Sequence, residues 1–275
     1  MELPPEVLDH YADGVESGRL SVGMGRLERL RTWELLHRWL PPAPAVVLDV
    51  GGGPGRYAVP LAAAGYEVHL VDAVPFHVEQ AARASEESAR PLASVGPADA
   101  RNLPFPDESA DVVLLMGPLY HLVERDDRLR ALREAGRVLR SGGTAIVAAI
   151  NRWASTLDGV HSGYLAFAEF AAIVEADLTT GIHRNPANRP GWFTTTYFHR
   201  PEELTQEIEE SGLGTDGPVA VEGIGGAARD IDALLDDPPT RARLLDVLRR
   251  TEREPALIGM GAHVLALAQA GSSRQ

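Results

Sequence analysis

The sequence predicts an α/β fold, with a mostly parallel seven-stranded sheet and helices on both of its faces. Three observations predict it. Val46-Val47-Leu48, Asp111 to Met116 and Thr144 to Ile150 are short apolar runs without a polar alternation, as in strands buried on both faces. Segments of helical length lie between such runs; in Asp126 to Leu139, Leu129, Leu132 and Leu139 share one side and arginines lie elsewhere. The first run also passes into Asp49-Val50-Gly51-Gly52-Gly53-Pro54-Gly55, a glycine-rich turn at the carboxyl end of a strand. Glycine there lets backbone approach a ligand closely, and open α/β sheets bind ligands at that edge.

In chain order, Glu6 to Tyr11 is expected to form a short helix and Met24 to Leu40 a longer one, with Leu27, Leu30, Leu36 and Trp39 near helical spacing and Pro41-Pro42 as its stop. After the first strand, Arg56 to Ala64 is a helix whose amino-terminal N–H groups face the glycine turn. Tyr66 to Val71 is a strand ending at Asp72, and Pro75 suits the first turn of a helix reaching about Glu87. A short strand near Leu92 to Val95 precedes Asp99. Asp111 to Met116 is the fourth strand, Ser141-Gly142-Gly143 ends the helix that follows it, and Thr144 to Ile150 is the fifth. Helices are expected over Gly163 to Glu175, from Pro201 to Ser211-Gly212, over Ile231 to Leu235 and over Arg241 to Glu252. A sixth strand lies within Gly217 to Gly223, a seventh over Ala262 to Ala268, and the tail from Gly271 to Gln275 reads as disordered.

The totals narrow the function. A chain of 275 residues suits one continuous domain: lid helices and a ligand-binding core in 1–150, a cap in 151–199, and completion of the sheet in 200–275. A net charge of −13 argues against a nucleic-acid or anionic-membrane partner. No run of 18 apolar residues and no leader pattern at Met1 to Pro5 is present, so a cytoplasmic protein is expected. The absence of cysteine excludes disulfides and thiolate metal sites. All 26 basic residues are arginine, which excludes phosphate-loop and Schiff-base lysines.

Asp72 stands roughly 20 residues beyond the first glycine of the turn, where such folds hold a ribose with a carboxylate. The acidic-x-Gly-x-Gly-x-Gly of Asp49 to Gly55 resembles motif I of the class I S-adenosylmethionine-dependent methyltransferases, a Rossmann-like family. That resemblance implies S-adenosylmethionine as cofactor, with Asp49, Gly51, Gly53 and Gly55 at its methionine part and Asp72, with Ala73 beside it, at its ribose. It implies an antiparallel seventh strand as well. Asp99-Ala100-Arg101-Asn102-Leu103-Pro104-Phe105 resembles the family's adenine-binding stretch, which gives Asp99 the adenine amino group and the Ala100 N–H the ring. Tyr11 and Arg31 are the candidates for a lid over the cofactor, Arg31 facing the methionine carboxylate.

Met116-Gly117-Pro118-Leu119-Tyr120-His121-Leu122 follows the fourth strand and looks like a stretch found in one group of bacterial small-molecule methyltransferases. Met116, Gly117, Tyr120 and His121 are expected to meet cofactor and acceptor together. Gly117 replaces the side-chain oxygen of the family's base-amine motif, which argues against a nucleobase amine. Residues 151–199 hold half of the chain's Phe, Trp and Tyr residues, and Trp153, His161, Tyr164, His183, Trp192, Tyr197 and His199 are expected, with Tyr120, to line the pocket of a small-molecule acceptor. His121 is the first candidate for a general base, followed by His161, His183 and His199. No metal-binding motif is visible, and the oligomeric state is not legible. Two alternatives stand beside methyl transfer. One is a nicotinamide-dependent oxidoreductase, since Gly53-x-Gly55-x-x-Ala58 approaches a dinucleotide fingerprint although Gly51-x-Gly53-x-x-Arg56 does not. The other is a cofactor-binding protein without catalysis.

Overall fold

The computed structural model describes residues 20–271. The expected helix at Glu6 to Tyr11, the lid residue Tyr11 and the end of the tail lie outside them. The described chain begins with α1 (Gly23–Trp39) and then alternates through β1 (Val46–Val50), α2 (Ala58–Ala63), β2 (Glu67–Asp72), α3 (Pro75–Glu86) and β3 (Ser94–Pro97). Next come β4 (Ala110–Leu115), α4 (Pro118–His121), α5 (Arg125–Val138) and the long β5 (Leu139–Asn151). The segment beyond it forms α6 (Ala154–His161), α7 (Ala168–Thr180), β6 (Ile182–His183) and β7 (Thr196–His199). The chain finishes with α8 (Pro201–Glu210), β8 (Gly214–Ala220), α9 (Ile231–Asp236), α10 (Pro238–Thr251) and β9 (His263–Gln269).

The strands pair in the order β3-β2-β1-β4-β5, all parallel, and β9 closes antiparallel on β5 with β8 antiparallel on β9. These seven are the strands expected from the sequence, including the reversed last one. The chain order changes direction between β1 and β4, so their carboxyl ends open a crevice. Alternate residues of each strand feed two cores. Val47, Val68, Leu70, Val112, Leu114 and Ile146 pack under α1, α2 and α3. Leu48, Val50, Val113, Leu115, Val147 and Ala149 pack under α5 and α8.

The differences from expectation have local causes. The helix predicted over Gly163 to Glu175 is divided: the left-handed Gly163, φ 72°, parts it from α6, and Phe167, extended at φ −93° and ψ 120°, breaks it within. One short turn over Tyr164–Ala166 lies between the two breaks, and α7 follows. The last long helix starts at Pro238 rather than Arg241, because the Asp237 carboxylate accepts the Thr240 N–H at 3.0 Å and Pro238 fits the first helical position. The β6–β7 pair was not legible: β7 hydrogen-bonds the last two residues of β5, Ile150↔Phe198 and Asn151↔His199.

Candidate functional site

A cleft of about 580 Å³ opens at the carboxyl ends of β1, β2 and β4. The glycine turn forms its floor. Gly51 and Gly53 have φ of 69° and 56°, which disfavours a side chain at both, and at Gly51 neighbours exclude one as well. A Cβ on Gly51 would stand 2.5 Å from Pro118 Cγ, and one on Gly117 would stand 2.8 Å from the Gly51 carbonyl oxygen. The ends of β1 and β4 therefore touch through glycine. Gly52, which the spacing pattern skipped, is equally constrained: its Cβ would lie 2.7 Å from Asp49 Oδ2 and 2.8 Å from Leu70 Cδ1. Gly53 has open space where its Cβ would be.

Three carboxylates face this floor. Asp49 is 2% exposed, and its Oδ2 is buried without a hydrogen-bond partner. Burial, followed by repulsion from Asp72, pushes its carboxyl up to about 7, against the pull of the Ala58 N–H. Asp72 accepts the Gly53 N–H and the Val74 N–H, each at 2.8 Å, and so holds the turn and the next loop together. His77, buried beside it, has Nδ1 3.4 Å from Asp72 Oδ1. Burial alone would raise the Asp99 carboxyl; hydrogen bonds from the Arg101 side chain and N–H hold it below its usual range. Arg101 is in turn fixed by Asp127 at 2.7 Å.

Tyr120 and His121, on α4, form the next wall. Their rings meet edge to face at 4.8 Å, and Phe193 stacks behind His121 at 6.4 Å. His121 Nδ1 is 3.3 Å from the Thr195 carbonyl oxygen. A carbonyl only accepts, so Nδ1 carries the proton of the neutral ring and Nε2 is its basic nitrogen. The remaining wall is made by residues that sequence reasoning missed, among them Glu28 and Thr32 of α1, Arg56, Val221, His263 and Leu265. Glu28 and Thr32 lie one turn apart on one helix face, a signal available in the sequence; the others come from turns and strand ends.

The structure brings Asp49, Gly51, Gly53, Asp72, Ala73, Asp99, Ala100, Met116, Gly117, Tyr120 and His121 to one cleft. Other expected residues lie elsewhere. Gly55 packs on Val59 beneath the turn. Arg31 is fully buried away from the cleft, donating to Glu34 at 2.8 Å, to Glu252 at 2.6 Å and to the Val221 carbonyl at 3.3 Å. Its charge is committed to the attachment of α1, which corrects its expected place over the cofactor.

The cap aromatics are also differently placed. Tyr164, Phe170 and Trp192 make a small core of their own. His183 is buried between the Asp177 carboxylate at 2.8 Å and the Trp192 carbonyl at 2.7 Å. Tyr197 lies under Arg128, 3.6 Å from ring centre to guanidinium, and His199 is buried against Glu207 at 3.3 Å. His161 is exposed at the end of α6, and Trp153 lines a separate groove beneath Arg200. Aromatic residues so concentrated pack on one another before they line a cavity. The cap meets the cleft through Thr195 and Phe193, which seat His121 from behind.

Known proteins agree with this architecture. Residues 47–143 match a family model described as a methyltransferase domain. The 27-O-demethylrifamycin SV methyltransferase of Amycolatopsis mediterranei is 37% identical over 103 residues, 35% of each protein. The ubiquinone biosynthesis O-methyltransferase of a Methylobacterium species is 30% identical over 174 residues, 63% of this chain and 61% of that one. The chain thus spans little more than a third of the length of several curated relatives that it matches. A crystal structure of a SAM-dependent methyltransferase from Methanosarcina mazei superposes with a TM-score of 0.57 at 17% identity, covering 87% of this chain and 98% of that one, a likeness of fold. No described helix is long and apolar enough to cross a membrane.

Proposed function

We propose that this chain is a class I S-adenosylmethionine-dependent methyltransferase that methylates a small-molecule acceptor in the cleft. The observation that carries the reading is the convergence of Asp49, Asp72 and Asp99 on a glycine floor. The cofactor suits these residues on structural grounds. The unpartnered, buried Asp49 Oδ2 fits a cationic donor such as the methionine ammonium, and the open space over Gly53 admits a ligand against backbone. Asp72 retains lone pairs for two ribose hydroxyls, and Asp99 with the Ala100 N–H serves the adenine edge.

Bound S-adenosylmethionine supplies a methyl group on a sulfonium, already activated for displacement. What remains for the protein is to align the acceptor, exclude water and remove a proton where the acceptor has one. Met116, Gly117, Tyr120 and His121 stand where β4 ends, beside the glycine floor, and form the acceptor side in this reading. His121 accepts the proton at Nε2, with Nδ1 held by Thr195. The segment 151–199 serves as a cap that sets His121, and related O-methyltransferases favour an oxygen acceptor.

Calorimetric titration of the purified protein with S-adenosylhomocysteine, NADH and NADPH tests the proposal. Binding of the thioether alone is expected. Binding of a nicotinamide alone would replace the reading with an oxidoreductase, and no binding at all would remove the cofactor site from this cleft.

A further inference from the structure

Glu28, Glu222 and His263 come from three distant segments: the middle of α1, the turn just past β8, and the first residue of β9. One carboxylate oxygen from each glutamate and one imidazole nitrogen lie within 4.8 Å of one another. His263 Nδ1 is 2.6 Å from Glu222 Oε1 and 3.8 Å from Glu28 Oε2. The group is sheltered, the side chains of Glu222, Glu28 and His263 being 4%, 13% and 24% exposed, and Glu28 and His263 line the cleft. Two carboxylate oxygens and one imidazole nitrogen converge there from three segments, a donor set that suits a first-row divalent ion.

The surrounding chain is shaped to this arrangement. Glu222 Oε2 accepts the His263 N–H at 2.9 Å, which leaves Oε1 turned to the imidazole. A Cβ on Gly261 would stand 2.9 Å from Glu222 Oε2, so the carboxylate occupies space that only glycine leaves. Arg31, on the same helix as Glu28, donates to the carbonyl of Val221, the residue before Glu222. Each ligand-bearing segment is thus fixed from behind, as the supporting groups of metal ligands are.

We propose that Glu28, Glu222 and His263 bind one divalent ion in the wall of the cleft, and that the ion orients the acceptor. Two carboxylates and one imidazole suit Mn²⁺, Fe²⁺, Co²⁺ or Zn²⁺, whereas Ca²⁺ takes oxygen ligands alone. Three protein ligands leave coordination positions for substrate. An acceptor that uses them carries a hydroxyl next to a second hydroxyl, a carbonyl or a carboxylate, and chelates through the pair. This acceptor class rests on the methyl-transfer reading; the metal site itself does not.

The test is titration of the metal-stripped full chain with MnCl₂, followed by loss of the free-ion signal in electron paramagnetic resonance, with ZnCl₂ calorimetry in parallel. Saturable binding of one ion per chain is expected. Glu28→Gln and His263→Asn should each weaken it by about 10- to 100-fold or more, with circular dichroism of the metal-free variants reading the parent's fold. No saturable binding, or binding indifferent to both substitutions, overturns the site and leaves a Glu222–His263 hydrogen-bonded pair in its place. S-adenosylhomocysteine titrated into the same samples reads the cofactor site separately: metal binding without it sinks the methyl-transfer reading alone, and the converse sinks the metal site alone.

Discussion

Asp49→Asn should make the protein more stable and a poorer binder of its cofactor. In the native state the Asp49 carboxyl titrates near 7, raised first by burial and then by the charge of Asp72, against an ordinary value of 3.8. Because the folded value lies above the unfolded one, the unfolded chain releases this proton first as pH rises. Stability is therefore fully kept below about 3.8, falls as pH climbs through 7, and stays lowered beyond it. A rise of about three units at 1.36 kcal/mol each costs about 4 kcal/mol at pH 8, and only about 1.5 kcal/mol at pH 5.

Asparagine does not titrate, and its own fixed costs cancel when two pH values are compared. The stability of Asp49→Asn relative to the parent should thus rise by about 2–3 kcal/mol between pH 5 and pH 8. Urea unfolding of both proteins at both pH values measures this difference. A relative stability that does not change with pH would refute the account of Asp49 as a strained carboxylate. The same account requires S-adenosylhomocysteine binding at pH 7 to release protons, because a nearby ammonium favours the ionised form. Calorimetry in buffers of different ionisation enthalpy reads that release, which should vanish in the variant.

Other substitutions probe the rest of the site. Asp72→Asn should weaken S-adenosylhomocysteine binding by about 10- to 100-fold, the loss of hydrogen bonds to a charged acceptor, and unchanged affinity by calorimetry would remove Asp72 from the ribose. His121→Ala should lower turnover about 100-fold or more in a methyl-transfer assay with the true acceptor while cofactor affinity holds, since general bases contribute on that scale. Arg31→Met should cost about 1–3 kcal/mol in urea unfolding, because the Val221 carbonyl loses its side-chain donor and Glu252 keeps only Arg38 among the described residues, with cofactor affinity of the folded protein intact; the reverse pattern would return Arg31 to the cofactor. Glu207 behaves oppositely to Asp49. Burial would raise its carboxyl, but His199 and Arg128 hold it near about 2, so it stabilises the fold above 4.5 and loses that contribution as pH falls toward 2. Glu207→Gln should erase this acid limb of the stability profile.

The convergence of the glycine turn and its carboxylates in one cleft was legible because these residues sit near element ends that local sequence defines. Asp49 is the penultimate residue of β1, Asp72 ends β2, and Tyr120 and His121 lie on the short helix that follows β4. A strand run and its turn place such residues without knowledge of distant partners. Arg31 was not legible, because its orientation is decided by Glu252, 221 residues away. The cap histidines failed for the same reason: His183 answers to Asp177 and Trp192, and His199 to Glu207, through packing that composition does not encode. Glu28, Glu222 and His263 share no spacing at all and meet only once β9 has closed on β5 and β8.

The pairing of Asn151 with His199 has a consequence for how this chain can be remodelled. The two residues are neighbours across adjacent parallel strands, so the polypeptide leaves the sheet and rejoins it at one place. Everything between them is a cassette whose length the sheet does not feel. Exchanging that cassette with one from a relative would keep the pairing of β5 with β4 and β9, and would replace the surfaces that back His121, Arg128 and Gly259. On the proposed reading, acceptor choice is then open to change by transplantation while the glycine floor is kept.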